Sequence, residues 1–344
     1  MSPNVVLVTG VSRFLGGHLA ARLAADPSIE RVLGVDTVRP GRDLLRKMGR
    51  TEFVRADIRN PLINKVIDSS HVDTVVHAAV NTHTGSGGRA TMKEMNVIGT
   101  MQLLAACQNS ASVRKLVIRS TCAVYGSSSR DPAVFTEGIE PKGLPSSGYA
   151  KDAAEIEGYV RGFGRRRPEV DITMLRFSNL IGPRIDAMLP RYFSLPVIPT
   201  VFGFDARLQL LHSEDALAVL EHATRQDRPG VFNVAGAGVL LLSQAIRRAG
   251  RPAVPLPGLA VPPLAQFFRG ARLVDFSPEQ LRYLGFGRVL DTTRLQEEFG
   301  FTPRWTTRQA FDDFVHGRGL RPMIDPDDIM AVERGVGDAL ARMR

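Results

Sequence analysis

Val5-Val6-Leu7-Val8-Thr9-Gly10-Val11-Ser12-Arg13-Phe14-Leu15-Gly16-Gly17 is the stretch that decides the fold. Val5 to Val8 reads as a strand, and Leu15, Leu19 and Leu23 recur at helical spacing directly after it. A strand that turns at once into a helix needs glycine where the chain bends and where backbone N–H groups approach an anion. The helix N-terminus adds partial positive charge there. Gly10 and Gly16 fill the first and third glycine places, and Arg13 stands in the middle one. Asp36 closes the next apolar run, Gly34-Val35-Asp36, twenty positions after Gly16. That spacing suits a carboxylate that accepts hydrogen bonds from an adenosine ribose; the plainer reading is a turn aspartate after a strand. Gly10, Ser12, Arg13, Phe14, Leu15, Gly16 and Asp36 are thus the expected core of a dinucleotide site.

Outward from this turn, short apolar runs alternate with helical patterns. Further strands are expected at 31–35, 51–54, 74–77, 115–119 and 171–175, and helices at 62–68, 91–109 and 152–167. Strand–helix alternation predicts an α/β protein: a Rossmann-type, doubly wound parallel sheet. After Gly182-Pro183 the pattern turns irregular and rich in Pro and Gly, except for a helix near 214–224 and a strand at 231–234. The division that follows is a dinucleotide-binding domain over 1–180, to which 205–235 returns. A smaller, discontinuous α+β substrate lobe takes 181–204 and 236–320, and a C-terminal helical tail takes 321–344. Within the lobe, 253–276 is unusually apolar for a loop. Burial is the default there; a pocket cover, a subunit contact and a lipid contact are the other readings.

The 344 residues are 44% hydrophobic and 23% charged, enough apolar mass for a sizeable core. The net charge of +9 comes mostly from scattered arginines. It favours phosphate-bearing small ligands, nucleic acid or an acidic membrane surface; a solvated surface is the plain reading, and no nucleic-acid partner is assigned. Arg165-Arg166-Arg167 before Pro168 fits a helix C-terminus. Cys107 and Cys122 show no metal-ligand spacing, so no metal and no disulfide are expected, and a reduced, cytoplasmic protein is. No run has the length of a membrane span, and the N-terminus lacks the basic flank of a signal peptide.

Asp36 argues for NAD, because a 2′-phosphate would meet its charge. Arg13 and Arg39 leave NADP open, since a guanidinium pairs well with that phosphate. Asp57, with Ile58 after it, ends the third strand. It either reaches the adenine amino group or caps its own loop.

Several downstream motifs extend the pattern. They are Val76-His77-Ala78-Ala79, Asn96-Val97-Ile98-Gly99-Thr100, Thr121-Cys122-Ala123-Val124-Tyr125-Gly126, Lys151 with Glu155, Arg176 to Pro183, Leu211 to Asp215, Phe232 to Gly236, and Phe299 to Pro303 with Trp305. In this order they resemble the extended short-chain dehydrogenase/reductase superfamily. The group concerned is its NAD-dependent epimerase/dehydratase family, which includes UDP-galactose 4-epimerase. The resemblance spans roughly residues 4–315. It implies that His77, Ala78 and Ala79 form a small-residue turn over the cofactor and that Lys151 and Phe177 belong to the cofactor site. It also implies that Asn179 contacts a substrate diphosphate and that the chain forms a homodimer through the helices at 91–109 and 152–166. Asn96 more readily braces a neighbouring strand than touches ligand. His212 and Asp215 read as structural, with Ser213 or Asp215 capping a helix.

The family takes the substrate hydroxyl proton on a tyrosine whose acidity is raised by a lysine four residues on, with a Ser or Thr holding the substrate oxygen. Lys151 and Thr121 match the lysine and the Ser/Thr. The tyrosine position is Ser147, far too weak an acid to replace a phenol. Tyr149 stands two residues before Lys151. It reaches the vacant place if Gly148 lets the chain stay non-helical there, and points away if the helix is regular. A second departure is Leu208, where nucleotide-sugar enzymes of the family carry arginine; Arg207 is one step away, on the other face of a strand. Three functions follow. The first is an NAD-dependent epimerase/dehydratase-like oxidoreductase with atypical catalytic residues, acting on a hydroxyl or carbonyl substrate, nucleotide sugars included. The second is a catalytically weak or inactive NAD(P)-binding sensor or scaffold. The third is an NADP-dependent reductase of a non-sugar carbonyl.

Overall fold

The structure is a computed structural model that describes residues 3–79, 88–139, 148–257 and 278–320. Strands β1 (Val5–Thr9), β2 (Arg31–Asp36), β3 (Glu52–Arg55), β4 (Thr74–His77), β5 (Lys115–Thr121) and β6 (Asp171–Phe177) come from the first half. A later strand, β11 (Gly230–Val234), completes one seven-stranded sheet in the order β11-β6-β5-β4-β1-β2-β3. Every pair in it is parallel. β1 and β4 are buried along their whole length, which is why Val5 to Val8 reads as an unbroken apolar run rather than an alternating one, while β4 carries the buried polar residues Thr74 and His77 at its ends.

Helices cover both faces. α1 (Phe14–Ala24) and α8 (Ser213–Arg225) pack on one side, where Leu19, Leu23, Leu217 and Leu220 meet Val8, Val117 and Phe232. On the other side lie α3 (Leu62–Ser69), α5 (Gly99–Asn109) and α6 (Gly148–Arg166), where Ile63, Leu103, Ile156 and Phe163 meet Leu7, Leu116 and Ile118. Strand order reverses between β1 and β4, so the carboxyl ends of these two strands flank the crevice where such sheets take ligands.

Several boundaries differ from the sequence reading. The helix expected over 91–109 starts as α4 (Gly88–Lys93) and passes through one π-helical turn, Glu94–Ile98, before α5. Gly99 after that turn has no room for a side chain: a Cβ would lie 2.9 Å from Ile58 Cδ1. β5 and β6 each run two residues further than expected, to Thr121 and Phe177. The arginine run does end α6, and Arg167 also crosses to neighbouring α5, donating to the carbonyls of Cys107, Gln108 and Ser110. α8 is capped by neither Ser213 nor Asp215. His212 Nδ1 accepts from the Glu214 N–H, while Asp215 accepts from the backbone N–H groups of Arg304 and Trp305.

Beyond β7 (Asn179–Ile181) the elements are short. α7 (Met188–Phe193), β8 (Ile198–Val201), β9 (Arg207–Leu208), β10 (Leu210–His212), β12 (Leu240–Leu241), α9 (Leu242–Arg248), a helix at Pro278–Phe286 and a helix at Thr307–Gly317 share a separate apolar cluster, while β13 (Ala253–Leu256) and β14 (Gly287–Arg288) pair with β8 and β9 at its edge. Tyr192, Phe193, Phe311 and Phe314 form its centre. The expected tail over 321–344, Ser147 and residues 258–276 of the apolar stretch lie outside the described residues.

Candidate active site

The turn after β1 is built by close backbone contact. Gly10 has φ +76°, and a Cβ on it would lie 2.9 Å from the Ala79 Cβ. A Cβ on Gly16 would lie 2.4 Å from the Gly10 carbonyl oxygen, and one on Gly17 2.6 Å from that of Val11. Only glycine lets the three segments meet, and the backbone N–H groups that open α1 are thereby left facing the crevice. Arg13, exposed, is the residue just before α1 and offers no side-chain cap. Phe14 is half-buried between His18, with ring centroids 4.3 Å apart, and the Arg184 guanidinium at 5.0 Å. Leu15 is buried in the core beneath α1.

Asp36 stands at the end of β2 and holds this turn. One carboxylate oxygen accepts from the Ser12 N–H at 2.9 Å and the Ser12 hydroxyl at 2.6 Å. Its other oxygen has only long contacts, 3.4 Å to Val38 N and 3.5 Å to Thr37 Oγ1, and so keeps accepting capacity. Asp57 accepts from its own loop at the Arg59 N–H and pairs with the Arg59 guanidinium, which keeps its carboxyl below the usual range. Ile58 packs under α5.

Beneath the turn lies a chain of hydrogen bonds whose direction can be deduced. The Thr100 hydroxyl donates to the Asn96 carbonyl, so it must accept from His77 Nε2–H at 3.0 Å. Burial pushes His77 down to about 4, so the ring is neutral at pH 7 and Nδ1 is an acceptor. Thr9 then donates to Nδ1 at 2.8 Å and accepts from the Ala79 N–H at 3.4 Å. His77 thus works under the cofactor turn through a fixed tautomer rather than on its surface. Ala78 and Ala79 carry the backbone above it.

At the carboxyl end of β5 a second set of groups converges. Thr121 accepts from the Ala123 N–H and starts a short 3₁₀ turn, Cys122–Tyr125. Gly148, at φ +74°, brings the chain into α6, and the Tyr149 hydroxyl in the first turn hydrogen-bonds Thr121. Tyr149 is half-buried, and burial pushes its phenol up while the Arg119 guanidinium pulls it down. Lys151, two residues on, is exposed. The structure therefore brings Thr121 and Tyr149 together and leaves Lys151 outside.

The seam below is locked by a buried ion pair. Arg176 donates to both oxygens of Glu157, at 3.0 and 2.7 Å, and to the Tyr125 hydroxyl at 2.7 Å. Ser120 also donates to Glu157, and Tyr125 to Asn233. Tyr125 is hence a structural phenol, pushed up to about 12 by burial. Across the crevice, Arg288 donates to the Gly126 carbonyl, the Cys122 sulfur and the Ser127 hydroxyl. Phe177 is buried in the core below Arg119, 5.8 Å from the guanidinium carbon to the ring centre. Asn179 is half-buried and interacts with the hydroxyl of buried Tyr283. Leu208 is fully buried in the second core, with Arg207 half-buried beside it. The sequence reading missed Thr9, Thr100 and Arg119. The first two give no signal in a sequence; Arg119 does, as a lone charge near the end of an apolar strand.

A family profile described as the NAD dependent epimerase/dehydratase family matches residues 6–235. The chain belongs to that family. The uncharacterized protein Rv0501 of Mycobacterium tuberculosis is 55% identical over 97% of this family member and 90% of its own length. Among solved structures, DesIV, the dTDP-glucose 4,6-dehydratase of Streptomyces venezuelae with NAD bound, superposes with TM-score 0.72 at 22% identity. That match covers 94% of this chain and 99% of the dehydratase. A UDP-glucose 4-epimerase from Thermotoga maritima superposes with TM-score 0.70 at 19% identity, covering 91% and 98%. The Gly10–Gly16 turn, packed too closely on itself and on Ala79 to admit a Cβ, and the Asp36 carboxylate fit the NAD that defines the family.

Proposed function

We propose that this protein binds NAD at the Gly10–Gly16 turn and oxidises a secondary alcohol of its substrate, with nucleotide sugars as the first class to test. The observation that carries the reading is the Tyr149 hydroxyl held on Thr121 at the carboxyl end of β5, over the same sheet edge as the cofactor turn. Bound NAD supplies the hydride acceptor. Thr121 holds the substrate oxygen, and Tyr149 takes the hydroxyl proton as the carbonyl forms, returning it when the carbonyl is reduced. The N-terminal end of α1, which Gly10, Ser12, Gly16 and the small Ala79 leave open, binds the pyrophosphate, and Asp36 the ribose through its less committed oxygen. Asp57 shapes its loop near the adenine, and Phe177 supports the site from below. Asn179 lines the substrate side.

The reading includes a cytoplasmic homodimer. Cys107 and Cys122 are both free and buried, as a reducing compartment permits. Met101 on α5 and Tyr159 on α6 are 39% and 37% exposed, on the helices expected to pair. No helix among the described residues is long and apolar enough to cross a membrane.

The exposed Lys151 favours a second reading, an NAD-binding protein without turnover. The test is to incubate the protein and NAD with UDP- and dTDP-hexoses, following nicotinamide absorbance and the sugar's stereochemistry by NMR. Reduced nicotinamide or a changed sugar supports the oxidoreductase. Tight NAD binding with no change in any sugar overturns the nucleotide-sugar reading and favours the sensor.

A further inference from the structure

Tyr149 needs a cation that the family's spacing does not supply here. The position four residues after it is Ala153, buried and uncharged. Lys151 is two residues on, and two residues on a helix place side chains on nearly opposite faces. With Tyr149 turned toward Thr121, Lys151 is turned to solvent.

The groups that face the phenol are Thr121 and Arg119 on β5, Cys122 after it, and Arg288 on β14. Arg288 is committed: Nε goes to Gly126, Nη1 to Cys122 and Nη2 to Ser127. Arg119 is not. One of its Nη groups makes a long bond, 3.4 Å, to the Ala78 carbonyl. Its Nε–H is out of reach of solvent, with no partner among the described residues. Arg119 and Thr121 are two apart on one strand, so their side chains leave the same face of the sheet. That face carries Val117 and Phe177 rather than Ile118, so both residues lie on the α1 side, where the cofactor turn is. Burial weighs most on the Arg119 guanidinium, and the ionisable groups near it are the Tyr149 phenol, Arg13 across the turn and the neutral His77 ring on β4. A buried cation is costly unless an anion meets it.

We propose that Arg119 takes the place of Lys151 as the cation that serves the Tyr149 hydroxyl, making Arg119, Thr121 and Tyr149 one proton-handling unit. The inference rests on the reading of Tyr149 as the proton carrier, and Arg119 acts as a positioning residue through it. The arginine comes from the strand that also supplies Thr121, so the unit does not depend on the helix register between Tyr149 and Lys151.

The experiment is an ultraviolet titration of tyrosinate in the protein without added substrate, taking wild type minus Tyr149→Phe to isolate this phenol. It is repeated in Arg119→Met, Arg119→Gln, Arg119→Lys and Lys151→Met backgrounds, each checked for folding by thermal melting. The expected result is that Tyr149 ionises about one pH unit or more higher without the Arg119 charge. Arg119→Lys restores most of the shift, and Lys151→Met leaves it unchanged. An unchanged titration in Arg119→Gln or Arg119→Met overturns the proposal, even if NAD binding weakens. So does a shift caused by Lys151→Met, which stays readable if the neutral Arg119 variants do not fold. Because the signal needs no turnover, coupling without any sugar chemistry keeps this inference and fails the functional reading alone.

Discussion

The two ends of the crevice are made in different ways. At the β1–α1 turn the geometry is set by backbone. Gly10, Gly16 and Gly17 each leave no space for a Cβ, and the His77 chain beneath allows one direction of donation. At the β5–α6 end the geometry is set by side chains: one phenol on one hydroxyl, with an arginine from the same strand nearby. A site made of backbone has few substitutes. A site made of side chains can draw the same charge from another element, as Arg119 and Lys151 illustrate. The cofactor end is therefore expected to resist rearrangement, and the proton-handling end to tolerate it.

The strongest way to break this contrast is Tyr149→Phe. Removing a general acid–base group costs about 10²–10⁴ in rate. Turnover on whichever alcohol proves active should fall by that much in single-turnover hydride transfer, while NAD affinity stays within about threefold. Retained turnover would show that the proton goes elsewhere.

At the other end, Gly16→Ala pushes a Cβ against the Gly10 carbonyl. NAD affinity by calorimetric titration should drop about 100-fold, the equivalent of roughly 3 kcal/mol of displaced backbone. Affinity close to wild type would mean that the turn is softer than its contacts imply.

The third prediction concerns pH. His77 is neutral in the folded protein down to about pH 4, whereas an unfolded histidine takes its proton near the ordinary value of 6.5. The unfolded chain binds more protons between those values, so stability is full above 6.5 and is lost as pH falls toward 4. The loss is about 3 kcal/mol at most. Denaturant melts of wild type and His77→Gln should converge as pH drops through that window. A constant gap would mean that the His77 chain stays intact in acid.

Much of this architecture was legible because it rests on periodicity and glycine. The alternation of strand and helix led to the parallel sheet, and the Gly10–Gly16 spacing with Asp36 led to the turn. The π-helical turn at Glu94–Ile98 was not legible, because its one extra residue leaves the apolar spacing nearly helical. The cap of α8 was misread because a histidine nitrogen, rather than Ser213 or Asp215, accepts the free N–H. Which way Tyr149 and Lys151 point depends on the left-handed Gly148, a single backbone angle that the sequence permits but does not dictate. Arg119 was passed over for a related reason. A charged residue in an apolar strand shows that something is there, and only the fold shows what it faces.

Arg288 joins the two halves of the molecule more firmly than its place on a two-residue strand suggests. Its three bonds end on Gly126, Cys122 and Ser127, all on the nucleotide side, while Gly287 before it lies flat against Arg207 with no room for a Cβ. Beside it, Val289 accepts from the Phe135 N–H and the Phe135 carbonyl accepts from the Asp291 N–H, so the segment after β14 is stitched by side chain and backbone together. Lifting β14 from the Gly126–Ser127 loop would thus break side-chain and backbone bonds in one step, so this seam is expected to open as a unit or not at all.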